Sequence, residues 1–202
     1  ECIDELADVA GVGEAVKAIT LRAMNGEFDF SEALLKRVSF LAGQPESIID
    51  KVLRERITYV AGGDILLATM KAYGGYAAIV SGGFSAFSEK VAAHLGFDEH
   101  RANRLLTENG VLTGGVADPI LDKDAKVSAL EDLVTRISIT EAEVIAVGDG
   151  ANDLGMLARA GMGVALHAKP AVAAQCDVKI NFGDLSALLY LQGYSKDAFI
   201  TP

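Results

Sequence analysis

The string "VGDGAND", Val147 to Asp153, sets two carboxylates and a carboxamide close together, directly behind the apolar run "VIAV". Oxygen donors so spaced suit a hard cation. Magnesium takes near-octahedral oxygen ligands, usually one or two carboxylates completed by phosphate and water. Asp149 fits the direct ligand, Asp153 the carboxylate that holds ligand water, and Asn152 a donor to an oxyanion. The plainer alternative is a solvated glycine-rich turn whose Asp and Asn cap the next helix. A second string, "IVSGGFS" (Ile79 to Ser85), offers the Ser81 hydroxyl and the amides of Gly82 and Gly83 before a helix with Phe84, Phe87, Val91 and Leu95 on its inward face. Free N–H groups at a helix start attract anions. Lys126 falls in the first turn of a helix carried by Val127, Leu130, Leu133, Val134 and Ile137. A cation there opposes the helix dipole unless an anion is bound beside it, and the alternative is a solvated lysine near Asp122 and Asp124.

These residues need elements to hold them. Residues 1–62 read as helices. Ile3, Leu6 and Val9 form one apolar stripe, and Val16, Ile19 and Met24 a second that ends at "NG", 25 and 26. Asp29 with Glu32 resembles a capping box before Leu34, Leu35, Val38 and Leu41, and Ile48, Ile49, Val52 and Leu53 carry a fourth helix after "GQP". Beyond Gly62 and Gly63, helices alternate with short apolar runs: "YAAIV" (76–80), "VIAV" (144–147), "MGVAL" (162–166) and "VKINF" (178–182). Such runs suit buried parallel strands, so the pattern predicts an α/β fold with an open parallel sheet and ligands at the carboxyl ends of its strands. "ENGVLTGGV" (108–116) predicts a hairpin turning on "NG". The expected division is a helical module at 1–62 and an α/β core at 63–202.

Composition limits the partners. With 18 Lys and Arg against 28 Asp and Glu, the chain carries a net charge of −10. That disfavours nucleic acid and anionic membranes, and an anionic small molecule must find positive charge locally. Cys2 and Cys176 are too few for a disulfide framework, and no apolar stretch reaches the roughly 20 residues of a membrane span, so the cytosol is the expected compartment. His94, His100 and His167 lack metal-ligand spacing. In the helical module Glu1, Phe30 and Arg37 stand out only weakly: a phenylalanine is ordinarily core, and one of two adjacent cations is ordinarily solvated.

Taken in order, "ECIDELADVAG", "RAMNGEFDF", "LLKRVSFLAG", "VSGGF", "ANRL", "DAK", "VGDGANDLGML" and "HAKP" resemble the phosphoserine phosphatases of the haloacid dehalogenase (HAD) superfamily across essentially the whole chain. The resemblance implies a Rossmann-like core with a helical cap, a magnesium ion, and hydrolysis of phosphoserine to serine and phosphate through an aspartyl-phosphate intermediate, the last step of serine biosynthesis. It implies that Asp149 ligates the metal with Asp153 in support, and that Lys126 and Ser81 bind the phosphoryl group beside Gly82 and Asn152. It further implies that Glu1 takes the substrate amino group and Arg37 its carboxylate, with Phe30 and Met24 closing over it. The D-x-D-x-[TV] motif that carries the nucleophile in that family is not among the 202 residues, and the resemblance places it just before Glu1. Since the chain starts with Glu rather than Met, a longer natural polypeptide is expected, with these residues alone inactive. Alternatives are a relative acting on phosphohomoserine or phosphoethanolamine, a phosphotransferase, or a non-catalytic module that binds magnesium or phosphate. A homodimer is compatible with the sequence.

Overall fold

The computed structural model describes residues 1–25 and 27–202, so position 26 of the "NG" stop lies outside the described residues. Two compact units make up the chain: residues 1–59 with 81–120, and residues 60–80 with 121–202. The chain passes between these units after residues 59, 80 and 120, so residues 81–120, expected within the core at 63–202, group with the N-terminal helices.

The reason is apolar burial in the first unit. Helices α1 (Cys2–Val9), α3 (Phe30–Ser39) and α4 (Ser47–Glu55) each bury an apolar stripe, and α2 (Gly13–Met24) buries Val16. Ile3, Leu6, Val16, Leu34, Val38, Leu41, Ile48 and Val52 share one core with Phe84, Phe87, Leu105, Leu112 and Val116 from the later segment. Two expected face residues turn outward: Leu35 is 42 % and Met24 75 % exposed. Met24 closes α2, whose buried residue is Val16, so the stripe stops before the helix does. Asp29 caps α3 by accepting the Glu32 amide at 2.8 Å, as its sequence position predicted.

Strands β3 (Leu105–Glu108) and β4 (Val111–Val116) form the expected antiparallel hairpin. Asn109 and Gly110 take φ of 52° and 75°, the two positive values that a tight two-residue turn of this hand requires. β1 (Ala78–Phe84) and β2 (Glu99–Asn103) pair with each other, with α6 (Ser85–Leu95) between them in sequence. Here the structure corrects the sequence reading twice. "YAAIV" does not belong to the three-stranded parallel sheet, and the strand runs on through Ser81, Gly82 and Gly83. Those glycines are therefore extended backbone rather than the open start of a helix, because pairing with β2 outweighs their preference for turns.

In the second unit β5 (Ile145–Gly148), β6 (Met162–Leu166) and β7 (Val178–Ile180) form a parallel sheet in the order β5-β6-β7. The remaining helices are α5 (Gly63–Ala72), α7 (Lys123–Arg136), α8 (Leu154–Arg159), α9 (Pro170–Ala173) and α10 (Ala187–Leu191). Ala146, Leu157, Ala165, Val172 and Cys176 form a core cluster there. Among the described residues no helix is long and apolar enough to cross a membrane.

Candidate functional site

The end of β5 builds the first constellation. The strand stops at Gly148, a short 3₁₀ turn covers Ala151–Asp153, and α8 follows. Asp153 is 4 % exposed, and both its oxygens are engaged. Oδ2 accepts the amides of Asp149 at 3.1 Å and Gly150 at 3.0 Å, while Oδ1 accepts the Lys126 ammonium at 2.5 Å. Gly148 is required by this fold-back, since a Cβ there would lie 2.5 Å from the Cβ of Asp153.

Lys126 is 7 % exposed, which removes the solvated alternative. It lies on the face of α7 that buries Leu130 and Val134, four and eight residues further on, so it points inward with the apolar stripe. Asp122 is occupied otherwise: it caps α7 by accepting the amides of Asp124 and Ala125 at 2.9 and 3.0 Å. The Asp149 and Asn152 residues remain exposed. The Asp149 carbonyl accepts the Lys169 amide at 3.2 Å, and His167 Nε2 lies 3.0 Å from the Gly183 carbonyl. "HAKP" thus ties the loops that leave β5, β6 and β7.

The donor set fits magnesium. Oxygen alone is presented, by one free carboxylate and one already fixed by hydrogen bonds, and the ion's habit is to complete such a site with water and phosphate. Among the described residues no cluster of three or more His, Cys, Asp or Glu side chains is assembled, so an ion bound wholly by protein is not what this site offers. One lysine against two carboxylates leaves the cluster with one net negative charge, which would repel a phosphate. A divalent cation reverses that sign.

The first unit holds a second constellation. Arg37 is 8 % exposed, anchored by donation from Nε to the Ala33 carbonyl at 3.3 Å, and its guanidinium meets Glu1 Oε2 at 3.4 Å. A cation and an anion side by side match the ends of a zwitterionic amino acid. Phe30 is half-buried against the core, whereas Met24 stands in solvent. In the same unit the Ser81 hydroxyl accepts the Gly83 amide at 3.0 Å, and the Gly82 carbonyl accepts Asn103 Nδ2 at 2.9 Å. Sequence reasoning assigned Asn103 no role, although it lies within "ANRL". Burial raises the Cys2 thiol above its usual pKa, which marks it as a packing residue rather than a nucleophile.

A model of the haloacid dehalogenase-like hydrolase family matches residues 5–158. The phosphoserine phosphatase of Haemophilus influenzae is 46 % identical over 191 residues, 95 % of this chain and 60 % of that protein. The phosphoserine phosphatase of Lactococcus lactis is 44 % identical over 189 residues, 94 % of this chain and 87 % of that protein. A solved structure of a phospho-aspartyl intermediate analogue of phosphoserine phosphatase superposes with a TM-score of 0.85 at 40 % identity, covering 95 % of this chain and 91 % of that one. The chain, which spans less than two thirds of the first of these relatives, belongs to the haloacid dehalogenase-like hydrolase family, and its fold is that family's Rossmann-like α/β fold.

Proposed function

We propose that this chain is the larger part of a magnesium-dependent phosphoserine phosphatase, a cytosolic enzyme that releases serine and phosphate at the end of serine biosynthesis. The observation that carries the reading is the buried Lys126–Asp153 pair beside the free carboxylate of Asp149. Asp149 and Asp153 would hold a magnesium ion, which supplies Lewis-acid charge to the phosphoryl oxygens. Lys126 donates one N–H of its ammonium to Asp153 and keeps two donors for the phosphoryl group. Asp153, clamped by two amides, fixes the direction of that ammonium. Ser81 adds a hydroxyl donor and Asn152 a carboxamide. In the helical part Glu1 binds the substrate ammonium and Arg37 its carboxylate, with Phe30 and Met24 as the cover.

Phosphoryl transfer depends chiefly on positioning and charge, which these residues supply. The covalent step, through an aspartyl phosphate of the kind named for the solved relative, needs a carboxylate that follows the D-x-D-x-[TV] pattern, and none of the 202 residues fits that pattern. These residues by themselves are expected to bind phosphate without turning over phosphoserine. The test is magnesium-dependent phosphate release by the full-length protein from phosphoserine, phosphoethanolamine and phosphohomoserine. Preference for phosphoserine over phosphoethanolamine by at least about tenfold, the weight of one charge-assisted contact to the carboxylate, is expected. Equal rates would remove Arg37 from substrate recognition and favour another small phosphomonoester.

A further inference from the structure

We propose that Asn103 is a positioning residue of the phosphate site: it holds the Gly82–Gly83 peptide so that the Ser81 hydroxyl keeps its proton for the ligand. This rests on the reading of Ser81 as a phosphate-binding residue given above. A peptide bond flanked by glycines on both sides is free to rotate in ways that other residues forbid. Its carbonyl, from Gly82, and its N–H, from Gly83, point in opposite directions. Both ends are held. Asn103, 1 % exposed on β2, donates Nδ2 to the Gly82 carbonyl at 2.9 Å. On the other side the Gly83 N–H donates to Ser81 Oγ at 3.0 Å.

A serine hydroxyl has one proton and two lone pairs. Accepting the Gly83 amide uses a lone pair and leaves the proton for an anion. If the peptide turned over, the Gly82 carbonyl would face Ser81, draw that proton to itself, and leave lone pairs toward the phosphate. Asn103 selects the first arrangement without touching the ligand.

The test uses the full-length protein with magnesium, reading the inhibition constants of inorganic phosphate and of L-serine separately. Asn103→Leu, close in size but without a donor, is expected to raise the phosphate constant about tenfold, the weight of one hydrogen bond near the upper end of its net range. The serine constant is expected to stay within about twofold, because a positioning role acts on the phosphate end alone. Added to Ser81→Ala, the same change is expected to cost nothing further, since its route is through the hydroxyl. If Asn103→Leu fails to fold, Asn103→Ser, which retains a donor in a smaller side chain, is expected to weaken phosphate in the same direction and by less. An unchanged phosphate constant in the folded Asn103 variant, beside a raised one in Ser81→Ala, overturns the proposal. So do additive losses in the double variant, or equal weakening of phosphate and serine. Should Ser81→Ala leave phosphate binding intact, the phosphate reading of Ser81 itself falls.

Discussion

Replacing Lys126 by methionine tests the Lys126–Asp153 pair through stability, independently of catalysis. The two side chains are 9 % and 6 % exposed, so water cannot take over from either partner. Removing one member of a buried pair costs about 3–5 kcal/mol, mostly because the surviving charge is left without compensation. Asp153 would retain its two amide donors, which places the expected loss near the lower end, about 3 kcal/mol. For a domain of this size that lowers Tm by roughly 6–12 °C. Urea unfolding with a shifted midpoint and unchanged slope is the appropriate measurement. Adding Asp153→Asn removes the orphaned charge while its carboxamide oxygen still accepts the two amides, and roughly 2 kcal/mol should return. In the full-length protein both variants should nevertheless lack phosphatase activity, because the ammonium is missing from each. A loss under about 1 kcal/mol for the single variant would mean that the pair is effectively solvated. A double variant no better than the single one would trace the loss to packing of the lysine stem, and the electrostatic account would be refuted.

In the full-length protein, Asp149→Asn should reduce kcat/KM by at least about 100-fold, the usual scale for losing one electrostatic element of a site, while Tm stays nearly constant because the side chain is exposed. An unchanged magnesium concentration for half-maximal activity would argue against direct ligation. Arg37→Gln should raise KM for phosphoserine about 10- to 100-fold, from 1.5–3 kcal/mol of charged hydrogen bonding, and leave phosphoethanolamine unaffected; kinetics with both substrates separates this from general damage. Hydrogen bonds from the Ser186 hydroxyl and amide hold the Asp184 carboxyl below its usual range. A carboxyl lowered in the folded state contributes stability above its unfolded pKa and loses it as pH falls through the folded value. Ser186→Ala should therefore destabilise slightly at pH 7 and match the parent under acid conditions where the Asp184 carboxyl is protonated in both; urea midpoints across pH decide it.

What the sequence revealed was whatever its chemistry placed close along the chain. The "VGDGAND" carboxylates, the Asp29 cap and the Asn109–Gly110 turn lie where their strings predicted, since each depends on neighbours within a few residues. Lys126 shows the limit. Its partner is 27 positions away, brought near by the packing of α7 against α8, and local charge pointed to Asp122 and Asp124 instead. One clue was nonetheless present, for Lys126, Leu130 and Val134 share helical spacing and therefore a face. A lysine within an apolar stripe needs a buried partner. Asn103 carried no such clue: "EHRAN" lacks the apolar alternation that marks a strand, so β2 went unseen and with it the reason for the "SGG" extension. Two glycines read as the open start of a helix because glycine favours turns; strand pairing and one buried carboxamide hold them extended instead. The same physics bears on the proposed phosphate site. A glycine–glycine peptide gives an anion close access to the backbone, and that freedom becomes useful only when a neighbouring strand removes it in one chosen orientation.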